Sequence, residues 1–406
     1  MKRMEMFTVE NIKIGFIGLG QRGYSLIKDV LVPMGANITA VCDVYEDRAA
    51  AAAEFIEKSG ASRPEEFTDH KKLLADADIN TVVIATSWEY HVPIAVEAMH
   101  RGLAVGLEVG GAYSVEQCYQ LLYAYNETKV PFMFLENCCF GRRELMVLNM
   151  VKKGLFGKIV HCAGGYGHDL REEVTTGAEN RHYRLRNYLD RNCENYPTHE
   201  IGPISRILGI NHGNRFMTLS SFASGSFGMK EYVKTHRAAD DKLQGADFKQ
   251  GDVITTVITC AGGETVTITL ETGLPRYYSR MLTVCGTKGM YEEASDSVFL
   301  DCEEDRKKEW RWRDTELGNA KKYAEEYDSE IWKKMLCDGV KGGHGGMDWL
   351  EFEAFFDCLK NDKPMPIDIY DAVTWMAITP LSETSVALGG KPMEFPDFTN
   401  GMWINR

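Results

Sequence analysis

The chain predicts an α/β fold: a doubly wound parallel sheet at the N-terminus, then an α+β domain built on an open, mainly antiparallel sheet. Three observations carry this. Short apolar runs alternate with helical segments over roughly the first third of the chain. A glycine triplet, Gly18-x-Gly20-x-x-Gly23, stands between the first such run and the first helix. After Glu136 the pattern changes to β-branched stretches divided by Gly262-Gly263. With 406 residues the chain exceeds what one hydrophobic core comfortably fills, so two domains are expected, 1–136 and 137–406.

Taken in order, Ile12–Ile17 reads as a buried parallel strand ending at the glycines, and Tyr24–Val32 as a helix closed by Pro33 and Gly35. Ile38–Cys42 is a second strand, followed by Asp43 and the Ala-rich helix Arg48–Lys58, stopped by Ser59-Gly60. Thr81–Ala85, Ala104–Glu108 and Val130–Leu135 are further strands, with helices at Pro93–His100 and Val115–Thr128 between them. Such strand–helix alternation builds a parallel sheet covered on both faces. Beyond Glu136, Leu145–Lys153 is helical, and Gly164–His199 is rich in Tyr, His and Arg. Val253–Cys260, Thr265–Thr272 and Arg280–Cys285 predict antiparallel hairpins. Asp301–Glu325 is charge-dense and reads as a solvated helix or loop, and Gly345–Leu359 as an amphipathic closing helix.

Composition excludes several classes. A net charge of −13 gives no basic face for nucleic acid. No stretch reaches the roughly 18 apolar residues of a membrane span. Met1–Asn11 is charged and polar without a signal-peptide pattern, so a cytoplasmic location and reduced cysteines are expected. Cys138-Cys139 has no second pair at zinc-like spacing, and no metal site is expected.

The glycine triplet acquires meaning from its place between strand and helix. Gly18 permits the tight turn, Gly20 lets backbone N–H groups approach a pyrophosphate, and Gly23 permits close helix–strand packing. Asp43 lies 20 residues after Gly23, where a carboxylate accepts from adenosine ribose hydroxyls and repels a 2′-phosphate. The expected cofactor is therefore NAD on a Rossmann domain. Thr86–His91, Glu108-Val109 and Glu136-Asn137 follow strand ends, where open sheets bind ligands. For His91 a packing role at a helix start is an equal alternative.

Across essentially its whole length the sequence resembles the Gfo/Idh/MocA superfamily. Many dehydrogenases of that type carry Glu-Lys-Pro where this chain has Glu108-Val109-Gly110, and the missing lysine argues against a simple dehydrogenase. Six motifs in order resemble the NAD-dependent α-N-acetylgalactosaminidase type, glycoside hydrolase family 109. They are Glu136-Asn-Cys-Cys-Phe-Gly-Arg-Arg-Glu144, Tyr166-Gly-His-Asp-Leu-Arg171, Tyr183-Arg-Leu-Arg186, Tyr196-Pro-Thr-His199, Ile210-Asn-His-Gly-Asn-Arg215 and Gly273-Leu-Pro-Arg-Tyr-Tyr-Ser-Arg280. The resemblance implies NAD contacts at Gln21, Arg22, Asp43, Trp88, Glu89, Tyr90, His91, Glu108, Val109 and Asn137. It implies substrate contacts at Tyr166, Arg184, Tyr196, Pro197, Thr198, His199 and Tyr278. Three departures bear on the identity of the sugar. Gly110-Gly111-Ala112 stands for the usual Pro-Ala-Ala, Asn211-His-Gly-Asn for Asn-Arg-Gly-Asp, and Tyr277 for the proline before Tyr278.

The implied chemistry is hydrolysis by transient oxidation. Oxidising sugar C3 makes the C2 proton acidic, a base removes it, and the aglycone leaves C1 by elimination. Water then adds and the hydride returns. No carboxylate pair of the ordinary glycosidase kind stands out among the substrate motifs, as this route allows. The expected catalytic residues are His199 and Tyr196 near C3 and C2, with Tyr166 and Tyr278 at the enolate or leaving group and Arg184 as a bidentate anchor. His168-Asp169 reads either as an orienting His–carboxylate pair or as a structural bond, and His344–Asp348 as a structural glycine-rich loop. The alternatives are an NAD-dependent sugar or inositol dehydrogenase and a non-catalytic dinucleotide-binding regulator. The expected partners are a small glycoside and a second copy of the chain, neither nucleic acid nor membrane.

Overall fold

The computed structural model of the protein describes residues 11–301 and 317–406. The described residues fold into two compact units, 11–140 with 333–373, and 141–301 with 317–332 and 374–406.

The first unit holds six strands: β1 (Ile14–Ile17), β2 (Ile38–Cys42), β3 (Glu65–Phe67), β4 (Thr81–Ile84), β5 (Ala104–Glu108) and β6 (Phe132–Leu135). All pair in parallel, in the order β3-β2-β1-β4-β5-β6. The order reverses between β1 and β4, the switch point where open α/β sheets bind ligands. β1, β4, β5 and β6 are buried along their whole length, which is why they read as unbroken apolar runs rather than alternating ones. The helices are α1 (Gln21–Leu26), α2 (Glu46–Lys58), α3 (His70–Asp76), α4 (Trp88–His100) and α5 (Val115–Thr128). The first helix starts at the glycine turn, three residues before the expected Tyr24, and widens into a π-turn over Ile27–Leu31. β3 and α3 escape sequence reading because β3 is three residues long, at the sheet edge, with two exposed glutamates. α5 is fixed at its start by the Ser114 side chain, which accepts from the Gln117 N–H.

Residues 333–373 group with this unit, whereas the sequence places them with the C-terminal domain. The cause is the sheet's need for cover and hydrogen bonds. The Phe134 N–H in β6 donates to the Ile367 carbonyl at 3.1 Å. The helix Met347–Asn361 brings Phe355 so close to Gly106 of β5 that a Cβ there would lie 3.3 Å from the ring.

The second unit is built on eight strands: β7 (Ile159–Gly167), β8 (Phe216–Ala223), β9 (Val253–Cys260), β10 (Thr265–Glu271), β11 (Thr283–Gly286), β12 (Gly289–Glu292), β13 (Ser297–Leu300) and β14 (Met393–Glu394). Their order is β13-β12-β11-β7-β10-β9-β8-β14, antiparallel except for the β7–β10 pair. Helix α6 (Arg142–Lys152) precedes β7, and α7 (Arg171–Thr175), α8 (Arg184–Asp190) and α9 (Thr198–Leu208) follow it. α9 backs the sheet so tightly at Gly164 that a Cβ there would sit 2.8 Å from Glu200 Cβ. The other face presents Val160, Phe222, Val257 and Phe299 to solvent. β7 has no counterpart among the strands expected from sequence, because its glycines hide a central strand from pattern reading. Of the charge-dense stretch Asp301–Glu325, residues 302–316 lie outside the described residues, and the helix Ala320–Tyr327 occupies its end. No disulfide joins cysteines among the described residues, and Cys138 and Cys139 are buried in a 3-10 turn.

Candidate active site

The first constellation is the glycine turn between β1 and α1. Gly18 has φ +97°, and a Cβ there would meet the Ala85 carbonyl carbon at 2.5 Å. At Gly23 a Cβ would lie 1.9 Å from the Gly18 carbonyl oxygen, so the helix can approach the strand only with glycine here. Gly20 differs: the nearest atom to its absent Cβ is Arg48 Nη1, at 3.7 Å, which leaves open space above the turn. Asp43, buried at the end of β2, accepts from the Leu19 N–H at 2.7 Å and the Tyr45 N–H at 3.0 Å. Its carboxylate thus ties the second strand to the glycine turn. A cradle of backbone beside a fixed carboxylate fits the NAD expected from sequence.

The second constellation sits on the C-terminal ends of β5 and β6, where Glu108 closes the one strand and Asn137 follows the other. Arg22 Nε donates to Glu108 Oε1 at 2.6 Å, and its Nη1 and Nη2 donate to the two oxygens of Asp348 at 2.8 and 3.1 Å. Asn137 Nδ2 donates to Asp348 Oδ1 at 2.7 Å, and His344 Nδ1 lies 2.8 Å from Oδ2. Burial alone would raise the Asp348 carboxyl; hydrogen bonding from His344 and the charge of Arg22 outweigh it and hold the group well below the usual carboxylate range. Glu351, one turn further along, is raised well above the usual carboxylate range by burial and then by neighbouring Glu108 and Asp348. The expected residues Arg22, Glu108 and Asn137 therefore come together. Asp348, expected to be structural only, lies at their centre.

Of the remaining expected cofactor residues, Trp88 and Val109 are buried, Glu89 is half-buried, and Gln21 and Tyr90 are exposed. Gly110, which departs from the family's proline, leaves room for Trp88: a Cβ there would sit 2.3 Å from the indole Cδ1. His91 is buried with Nε2 3.0 Å from the Thr86 carbonyl, and burial lowers its pKa to about 4. It is neutral at pH 7, in keeping with the packing alternative.

The third constellation belongs to the second unit. Tyr166, at the end of β7, lies with its ring centroid 4.5 Å from Tyr196, 5.6 Å from His199 and 6.1 Å from Tyr278. The Tyr196 and His199 ring centroids are 4.8 Å apart, edge to face, on either side of Pro197 at the N-cap of α9. The Arg184 guanidinium stands 5.3 Å over the Tyr196 ring and donates to Glu173 at 2.9 Å. Thr198 is fully buried. Tyr278 is brought in by an antiparallel bridge between Gly167 and Ser279. Its segment is held by Glu293, which accepts from the Arg280 N–H at 3.1 Å and the Leu282 N–H at 2.8 Å. The Tyr166 hydroxyl lies 2.9 Å from His168 Nδ1, while Asp169 pairs with Arg171 at 2.7 and 2.8 Å. His168 and Asp169 thus do not form the His–carboxylate pair considered from sequence. Burial pushes the Tyr166 phenol up to about 12, and burial followed by the charge of Arg184 lowers His168. Three tyrosines and two histidines beside one guanidinium can donate to sugar oxygens and shuttle protons. Glu173 and Glu293 are not singled out by the sequence; their contacts with Arg184 and the Tyr278 segment emerge only in the folded chain.

Residues 12–135 match the family model described as the oxidoreductase family, NAD-binding Rossmann fold. Residues 140–405 match the one described as glycosyl hydrolase 109, C-terminal domain. A glycosyl hydrolase family 109 protein of Stenotrophomonas maltophilia is 38% identical, over 97% of this chain and 90% of its own. An alpha-N-acetylgalactosaminidase of Tannerella forsythia is 36% identical, over 97% and 88%. In fold, levoglucosan dehydrogenase in complex with NADH superposes with a TM-score of 0.68 at 19% identity, covering 95% of this chain and 99% of its own.

Proposed function

Because the chain belongs to glycosyl hydrolase family 109, we propose that it is an NAD-dependent glycosidase that releases a terminal sugar by transient oxidation at C3, with α-linked N-acetylgalactosamine as the first substrate to test. The observation that carries this reading is the Tyr166–Tyr196–His199–Tyr278 cluster beside Arg184. It supplies proton donors and acceptors where an ordinary glycosidase would place two carboxylates.

NAD, when bound, supplies reversible hydride acceptance at the sugar. The remaining chemistry falls to side chains. With a carbonyl at C3 the C2 proton becomes acidic, and His199 or Tyr196 removes it. The C1–oxygen bond then breaks by elimination, with Tyr166 or Tyr278 hydrogen-bonding the enolate or the departing oxygen. Water adds across the resulting double bond, and the hydride that bound NAD would have accepted would be returned to C3. Arg184, steadied by Glu173, anchors a polar substituent of the sugar. Gln21, Arg22, Asp43, Trp88 to His91, Glu108, Val109 and Asn137 are the proposed cofactor contacts, with Asp43 favouring NAD over NADP.

The open face of the eight-stranded sheet supports pairing with a second copy. Register places Ser220, Val257, Thr267, Ala163 and Thr283 in one row across five strands, without a charged side chain. Light scattering on the purified protein tests this, and a monomer at micromolar concentration contradicts it. Among the described residues no helix is long and apolar enough to cross a membrane.

The activity test is a nitrophenyl α-N-acetylgalactosaminide incubated with and without added NAD while nitrophenol and NADH are followed together. Nitrophenol release without accumulating NADH is expected. Stoichiometric NADH from a free sugar or polyol would establish the dehydrogenase instead, and no turnover of either kind would favour a binding protein. His199→Ala is expected to abolish release while NAD still binds; retained activity removes His199 from the mechanism.

A further inference from the structure

The glycine-rich segment leading into the helix Met347–Asn361 has no place in the chemistry above, yet Asp348 in the first turn of that helix lies among cofactor-domain residues. The side chain is 2% exposed and takes three hydrogen bonds from the residues already assigned to NAD: two from Arg22 and one from Asn137. The segment is shaped for this. A Cβ at Gly343 would fall 2.7 Å from Asp348 Oδ2, and Gly345 and Gly346 both adopt positive φ. A side chain at 343 would push the carboxylate off Arg22.

We infer that Asp348 is a positioning residue of the dinucleotide site, holding the Arg22 fork and the Asn137 amide in the orientation in which they meet NAD. The inference rests on the reading that Arg22 and Asn137 contact NAD. Arg22 leaves α1 immediately after the glycine turn, and its Nε is held by Glu108 alone. Among the described residues, beyond Glu108 and Asp348 the fork meets only the exposed His344 ring, 3.1 Å from Nη1; a guanidinium held so loosely at its outer nitrogens can swing them, and a bidentate carboxylate removes that freedom. The Asn137 amide is buried, and Asp348 accepts from its nitrogen. Losing that acceptor leaves a buried donor that turns elsewhere. One residue therefore orders a contact on α1 and another after β6, from a position 326 residues beyond Arg22.

Charge and positioning predict opposite outcomes, which makes the inference testable. Asp348→Asn removes a negative charge from the neighbourhood of an anionic cofactor, so electrostatics alone would tighten NAD binding. Loss of positioning weakens it. The measurement is the NAD dissociation constant of the purified full-length protein by calorimetry, with thermal melting and circular dichroism as checks on the fold. Asp348→Asn is expected to raise Kd about tenfold or more, the scale of one lost charge-assisted bidentate contact. Arg22→Ala should also weaken binding, and Asp348→Asn added to it should cost little further, since the two act through one contact. Arg22→Lys keeps the charge but cannot span both Asp348 oxygens, so it reads the same contact if Asp348→Asn does not fold, and a similar rise is expected. An unchanged or lower Kd in Asp348→Asn or Arg22→Lys, with Arg22→Ala and Asn137→Ala both weakened, overturns the inference while the cofactor contacts stand. If Arg22→Ala and Asn137→Ala leave Kd unchanged, the contacts themselves fail and the inference falls with them.

Discussion

Tyr166 concentrates much of the proposed chemistry in one phenol. Its hydroxyl is buried, 2.9 Å from His168, and pushed to about 12, so it serves as a donor rather than as a phenolate at neutral pH. Tyr166→Phe keeps the ring packing and removes only that donor. Turnover is expected to fall about a hundredfold or more with NAD affinity unchanged, the scale of one lost acid–base contact; turnover near the native rate would exclude Tyr166 from catalysis. Glu194 illustrates a different residue-scale effect, on stability. It is buried two positions before Tyr196, and burial raises its pKa to about 8 from an ordinary 4.5. Between these values the folded state keeps a proton that the unfolded state has released, so stability falls as pH rises from 4.5 to 8. Glu194→Gln should remove this contribution from the pH dependence of urea unfolding. An unchanged slope would show that Glu194 is ionised in the fold.

At the scale of elements, the β1–α1 junction is the most constrained joint in the first unit. A methyl at Gly23 would overlap the Gly18 carbonyl, so Gly23→Ala must push α1 away from β1 and open the turn. The expected cost is about 1–3 kcal/mol of stability, the range for overpacking a close contact, together with loss of NAD binding. A variant that melts and binds like the native protein would contradict that geometry. The same joint shows what pattern reading recovers. β5, β9 and α5 have the bounds their apolar periods predict, because burial is uninterrupted in β5, alternating in β9 and at helical spacing in α5. β3 and β7 are illegible in the sequence, one being an exposed three-residue edge and the other carrying glycines that admit close neighbours. The motifs around Tyr166, Tyr196 and Tyr278 are legible as residues, but their convergence depends on β7 lying beside the Ser279 segment, a long-range pairing that no local period encodes. Asp348 is illegible as a cofactor-domain residue for the same reason.

Across the whole molecule, two units divide the labour: one carries the glycine cradle and its carboxylate, the other the aromatic and cationic cluster. A cofactor that binds the folded first unit stabilises it by mass action, about 2.7 kcal/mol at a hundredfold excess over Kd. Thermal melting with added NAD should therefore shift upward, and by more than with NADP if Asp43 meets the ribose as proposed. An equal or larger shift with NADP would reverse that assignment. The central claim is that the sugar is oxidised and restored within one turnover, and hydrolysis in heavy water tests it most directly. The account predicts deuterium at C2 of the released sugar, with no net NADH. Product that carries only protium at C2 would show that the glycosidic bond breaks without C2 deprotonation, and would contradict the account.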